Sequence, residues 1–190
     1  MSRSRIEHGL DALARAAVAA QGLSGQVAQV ASRYAAVLRN GGTLYFCCNG
    51  GSAADAQHLA AEYVVRYVER RRALAAVALS TDTSILTAAG NDLGFDQIFA
   101  RQVEALCGSD DLLILHSTSG KSPNLIAAAQ AASEGSVPSI AFLGKGGGAL
   151  AGLVDQAIIV ASDDTSVIQL LHMALEHLIV EVVERELLGS

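Results

Sequence analysis

With 190 residues, 51% of them hydrophobic, the chain has the material for one domain of ordinary size with a sizeable core, and its composition excludes a disordered chain. A formal net charge of -6 offers no electrostatic footprint for nucleic acid, so no such partner is expected. The apolar stretches near the N-terminus are broken by Arg15, Gln21 and Arg33, so neither a secretion signal nor a membrane span is read there; a cytoplasmic protein without a membrane partner is expected.

About forty residues of helical spacing come first and break near 22–25, which predicts two helices. Their repeated Ala and Val leave apolar faces with no evident partner in a sheet, so a subunit interface is expected of residues 1–40, within a single domain spanning 1–190. Five short apolar runs follow, at 43–48, 74–79, 112–116, 139–143 and 157–161. Each is continuous rather than alternating, as in strands covered on both faces. Helical spacing at 53–68, 95–106 and 124–133 separates them, and this alternation predicts an α/β fold with a parallel, helix-flanked sheet. Cys47, Cys48 and Cys107 fit neither a disulfide framework nor a paired metal or redox motif; the first two, neighbours on a strand, are read as small buried residues on opposite faces. The basic run Glu69-Arg70-Arg71-Arg72 is read as a solvated turn. A last helix over 166–188 is apolar around much of its circumference and should be largely buried.

Two segments at strand ends carry the chemistry, where an open parallel sheet binds its ligands. After the first strand the chain turns through Asn49-Gly50-Gly51 and starts a helix near Ser52, whose hydroxyl could cap it. After the third comes Ser117-Thr118-Ser119-Gly120-Lys121-Ser122, with four hydroxyls in six residues, a Gly that permits close backbone approach and a helix start behind it, together an anion cradle suited to phosphate. A loop this polar could also be a well-capped turn. Gly120-Lys121-Ser122 is not a Walker A loop, because Leu115 stands where that motif needs Gly. Gly144-x-Gly146-x-x-Ala149 matches a dinucleotide fingerprint in form, but too few residues precede the next strand for the crossover helix.

His58 and Glu62, at i and i+4, share one helix face, a spacing that suits metal ligation or an acid-base pair and equally an ordinary surface pair. In the C-terminal helix Gln169, His172, Glu176 and His177 interrupt the apolar run and need partners if buried. Gln169 and His177 could reach one site from successive turns. His172 and Glu176, also at i and i+4, are not excluded by spacing.

Over nearly its whole length the chain resembles the phosphoheptose isomerases of the sugar isomerase (SIS) domain group. The resemblance rests on Asn49-Gly50-Gly51-Ser52-Ala53-Ala54-Asp55-Ala56-Gln57-His58 with Glu62, on Gly90-Asn91-Asp92, on Ser117-Thr118-Ser119-Gly120-x-Ser122, and on Ile168-Gln169 followed by His172 and His177. It implies a five-stranded flavodoxin-like core and a homotetramer with sites at subunit interfaces. It further implies one Zn²⁺ per subunit held by His58, Glu62, Gln169 and His177. Ser117, Thr118, Ser119 and Ser122 would bind the sugar phosphate, with Asn49, Gly50, Ser52 and Gln169 nearby and Asp92 close to the sugar. The chain departs from the family pattern at Leu170, Lys121, Ser166 and His116. The activity implied is isomerisation of sedoheptulose 7-phosphate to an aldoheptose 7-phosphate through an enediol, with Glu62 and His177 as catalytic groups. The alternatives are a non-catalytic SIS protein that binds a sugar phosphate or a replication initiator, and an isomerase of another sugar phosphate.

Overall fold

A computed structural model describes residues 2–189. Helices α1 (Ser2–Ala20) and α2 (Ser24–Arg39) are joined by a 3-10 turn at Gln21–Leu23, close to the expected break. Then follow β1 (Leu44–Cys48), α3 (Gly51–Val64), β2 (Ala76–Ala78), α4 (Thr83–Asp92), α5 (Ala100–Leu106), β3 (Leu112–Ser117), α6 (Pro123–Glu134), β4 (Ser139–Leu143), β5 (Gln156–Ile159) and α7 (Thr165–Leu188). All strand pairs are parallel, in the order β2-β1-β3-β4-β5. This is the flavodoxin-like doubly wound sheet.

The five apolar runs fall on the five strands, with β2 shorter than its run and β5 starting one residue before its run and ending two short of it. The helix expected at 53–68 stops at Val64, and that expected at 95–106 divides into a 3-10 turn at Phe95–Gln97 and α5. Helix α4 escapes the apolar pattern because it buries only Ala89; Asp82 starts it by accepting the N–H of Ile85 at 2.9 Å.

Phe46, Cys48, Leu112, Ile114 and Phe142 face a layer built with α2, α3 and α7, while Cys47, Leu113, Leu115 and Leu143 face α5 and α6. Both faces are covered, which is why the runs are continuous. Cys47 and Cys48 are both buried, one in each layer, and burial pushes both thiols up.

Helix α7 begins where Asp164 accepts the N–H groups of Ser166 (2.8 Å) and Val167 (3.4 Å), and ends at Gly189 in the left-handed region. Among the described residues it is the helix long and apolar enough to cross a membrane, yet Val167, Ile168, Ile179 and Val183 lie inside the core and it carries two buried carboxyl groups, Glu176 and Glu184.

The basic run is not the solvated turn expected. Glu69 and Arg70 are exposed, but the Arg71 side chain is 2% exposed, with Nε 2.8 Å from Glu184 Oε1. Glu184 also accepts the backbone N–H groups of Tyr67, Val68 and Glu69, each at 3.0 Å. Arg71 donates in turn to the carbonyls of Glu62 (2.6 Å) and Tyr63 (2.8 Å), which close α3, and Arg72 donates to Leu38 O at 3.1 Å. Glu184 lies 113 residues beyond Arg71, so local charge patterning had no access to the pairing.

Burial works to raise the Glu184 carboxyl, but the N–H groups of Glu69, Tyr67 and Val68, with Arg71, outweigh it and the pKa falls below its ordinary 4.5. A lowered folded pKa means the contribution is present above the ordinary value and is lost as the pH falls through the folded one. Glu184→Ala, which leaves a buried guanidinium without its counter-charge and three N–H groups without their acceptor, should lower the unfolding free energy by about 3–5 kcal/mol at pH 7. Urea titrations of both proteins should show that gap narrowing as the pH drops below the ordinary 4.5; an unchanged midpoint at pH 7 would refute the clamp.

Candidate active site

The winding of the sheet reverses between β1 and β3, which opens a crevice beyond their carboxyl ends. The register sets Cys48 beside His116, so the chain leaves the two strands side by side at Asn49 and Ser117. A small pocket of about 80 Å³ lies there. It brings together Asn49, Ser52, Ser117, Thr118, Ser119, Ser122 and Gln169, with His116 and Leu125 completing the lining.

The hydroxyl-rich loop is folded against itself. Ser117 Oγ accepts the Gly120 N–H at 3.0 Å and Ser119 Oγ that of Lys121 at 3.3 Å. Gly120 has φ +61, and a Cβ on it would stand 1.8 Å from Gly147 O, so only glycine fits. Ser122 is the N-cap of α6, but its hydroxyl makes no capping bond, and Pro123 follows at the first helical position.

Across the crevice, Gly50 is the N-cap of α3, with φ 59 and ψ -127 and no side-chain cap. The cap expected from Ser52 is therefore not formed. Ser52 lies inside the first turn, 4% exposed, and its Oγ accepts from Gln169 Nε2 at 3.2 Å. Asn49 and Asn124 exchange reciprocal amide hydrogen bonds, both 2.8 Å, which join the end of β1 to the start of α6. Asn124 gave no signal in the sequence, because a partner 75 positions away leaves no local pattern.

Further along α3, His58 and Glu62 meet His177 of α7. His58 Nε2 lies 2.9 Å from His177 Nε2 and 3.3 Å from Glu62 Oε1, and one ligand atom from each of the three residues lies within 4.8 Å of the others. Tyr67, also missed in the sequence, stacks on the His177 ring at 5.3 Å and 12°. It is held there by the loop that Glu184 clamps.

Gln169, two turns before His177, is engaged with Ser52. The polar pairs of α7 are placed differently: His172 and Glu176 face the core, whereas Gln169 and His177 are only partly buried and lie beside Ser52 and His58. Burial, and next the neighbouring His116, lower the His172 pKa to about 3, so its ring is neutral. Asp92 is exposed at the end of α4, accepts from the Asn91 side chain at 2.6 Å, and lines a separate depression with Ile85 and Arg101. Beside Gln169 a separate depression is bounded by Asp55, Ser166 and Leu170, the last two being departures from the family pattern, while a third departure, His116, lines the pocket itself. Partial burial raises the Asp55 carboxyl, opposed by His116 and His58.

The family model of the SIS domain matches residues 10–144. A phosphoheptose isomerase from a Bradyrhizobium strain is 48% identical over 185 residues, covering 97% of this chain and 93% of that one. Phosphoheptose isomerase 1 of Campylobacter jejuni is 48% identical over 162 residues, 85% of this chain and 87% of its own. The solved structure of the phosphoheptose isomerase from Neisseria gonorrhoeae superposes with a TM-score of 0.92 at 40% identity, covering 97% of this chain and 99% of that one. That from Francisella tularensis gives 0.94 at 34% identity, with the same coverage. In sequence and in fold, then, the chain belongs to the phosphoheptose isomerases of the SIS domain family, which are aldose-ketose isomerases.

Proposed function

We propose that the chain converts sedoheptulose 7-phosphate to D-glycero-D-manno-heptose 7-phosphate, with Ser117, Thr118, Ser119 and Ser122 around the phosphate and His58, Glu62 and His177 beside the reacting carbons. The observation that carries this reading is the convergence of the three residues from two helices close to a pocket sized for a phosphate rather than a whole sugar. A protein that only bound a sugar phosphate would have no use for them.

The three residues fit a zinc ion. Ligands about 2.0–2.2 Å from a tetrahedral centre stand about 3.4 Å apart; the His58–Glu62 separation of 3.3 Å matches this, and the His58–His177 separation of 2.9 Å needs a small opening. Gln169 would complete the set by leaving Ser52. When bound, such an ion supplies Lewis-acid polarisation of the substrate carbonyl.

Glu62 turns Oε1 toward His58, leaving its second oxygen for the proton of C1. As that proton leaves C1 the C2 oxygen gains one, giving an enediol. C2 then takes up a proton and the C1 oxygen releases one, with no net change. His177, braced by Tyr67, relays between the two oxygens. The hydroxyl loop restrains the far end of the sugar, with Asn49 and Gly50 forming the opposite lip of the crevice.

We read residues 1–190 as one SIS domain whose first forty residues serve assembly into a homotetramer. Supporting this, an apolar groove of about 490 Å³ runs between α1, α2 and α7, and Ile6, Leu10, Val18 and Leu178 are exposed. Asp92, exposed and outside the pocket of its own chain, fits a sugar site completed between subunits. Three free thiols suit the reducing cytoplasm.

Purified protein incubated with sedoheptulose 7-phosphate should form the aldose by NMR, lose that activity on chelation and regain it with zinc; conversion that survives complete chelation would remove the metal from this reading. Glu62→Gln should lower kcat by about 10²–10⁴-fold, and near-parental turnover would exclude Glu62 as the base. Ser119→Ala with Ser122→Ala should raise KM about tenfold, the loss of about 1.4 kcal/mol expected when hydrogen bonds to a charged ligand are removed; a steady-state KM within error of the parent's would place the phosphate elsewhere.

A further inference from the structure

Beneath the phosphate loop, inside the apolar layer between sheet and helices, lies a polar cluster that the proposed reaction does not use. His116, the residue before the loop, is 2% exposed and stacks between Phe142 at 5.1 Å and Phe46 at 6.3 Å. Its Nε2 is 3.2 Å from Oε1 of Glu176, which is 0% exposed, and the same oxygen accepts from Tyr34 Oη at 3.0 Å. Around this cluster, His116 Nδ1, Glu176 Oε2 and Tyr63 Oη make no hydrogen bond to protein among the described residues. A buried polar contact of this kind is weak evidence for stability. Its best-attested use is to fix register.

The register at stake is that of α7 against β3. His116 ends at the phosphate loop, and Glu176 directly precedes His177 on the helix that also carries Gln169. We propose that the His116–Glu176 contact is a specificity-determining spacer: it sets the distance between the phosphate loop and the His58–Glu62–His177 group, and so selects the carbon-chain length of the ketose phosphate. Apolar side chains would fill the same space but permit sliding, whereas a hydrogen bond at one oxygen does not. Both residues act by position and neither touches the reacting carbons. The inference rests on the isomerase reading above.

The test compares a seven-carbon ketose 7-phosphate with a five-carbon ketose 5-phosphate as substrates. His116→Phe keeps a ring between Phe46 and Phe142 and leaves Tyr34 on Glu176, removing only the contact. His116→Leu with Glu176→Leu removes both partners, and Glu176→Gln keeps an acceptor for the histidine. In the first two variants kcat/KM for the seven-carbon substrate should fall about tenfold or more, on the scale of a sub-ångström to 1 Å misplacement. The preference for seven over five carbons should narrow about fivefold, a readout that a merely structural loss, which lowers both substrates alike, would not move. Glu176→Gln should retain most of the preference. A folded contact-free variant with the parental preference overturns the spacer while leaving the isomerase standing. A parent that turns over neither ketose overturns the isomerase reading, and the spacer falls with it.

Discussion

A helix that is apolar on most of its circumference can rotate or slide in a core with little change in buried area, and α7 is such a helix. What forbids the motion is the placement of two carboxyl groups that the core could not otherwise tolerate. Glu184 must sit where three N–H groups and Arg71 meet it, and Glu176 where Tyr34 and His116 do. With both ends of that ruler fixed, Gln169 falls beside Ser52 and His177 beside His58. The clamp works in the other direction as well. Arg71 holds the last carbonyls of α3, including that of Glu62, so the two helices that contribute the candidate ligands are tied through one buried ion pair. The same loop delivers Tyr67 to the His177 ring.

The hydroxyl-rich loop is secured from a different side. Leu150 donates to Gly120 O at 3.0 Å; a Cβ on Gly120 would stand 1.8 Å from Gly147 O and one on Gly148 2.5 Å from Ser119 O and 2.7 Å from Gly120 O, so neither tolerates a side chain there. The glycine-rich segment at 144–148 thus serves close packing against the loop. Its resemblance to a dinucleotide fingerprint has no structural counterpart, since a 3-10 turn at Ala149–Gly152 stands where that motif needs a long helix. The crevice has one wall fixed by backbone contact and another fixed by side chains of α7.

How much of this was legible in the sequence follows from the range of the interactions. The strands were, because two-sided burial writes itself as a continuous apolar run, and so was the long C-terminal helix. The hydroxyl loop and the His58–Glu62 pair were also visible, since spacing within one turn is local information. His177 was narrowed to one of two pairs, and only the rotation of α7 separates it from Glu176. Arg71, Asn124 and Tyr67 were out of reach, because each takes its meaning from a residue distant along the chain. Ser52 misled for the opposite reason: a good capping residue sat near a helix start, but the φ of Gly50 moved the cap two positions back. α4 was hidden because a helix that buries one alanine writes almost no periodicity.

The chemistry of the pocket also bears on how it would hold an anion. No lysine or arginine lines it; Lys121 lies within the loop but is exposed. In a chain of net charge -6, recognition of a phosphate there would rest on hydroxyls, that of Ser122 among them, and on the N–H groups at the start of α6. Neutral donors fixed in place reward an anion that matches their geometry and gain little from long-range attraction, so such a cradle discriminates by shape and is weakly screened by salt. Fixed placement is then the property that matters, and it explains why the loop's own hydroxyls are partly used on its backbone, with Ser117 on Gly120 and Ser119 on Lys121. Those bonds hold the remaining donors at set positions before any ligand arrives, which lowers the ordering cost of binding. A rigid cradle at one end and metal-capable side chains at the other make the distance between them a property of the fold, set by how α7 is seated against β3.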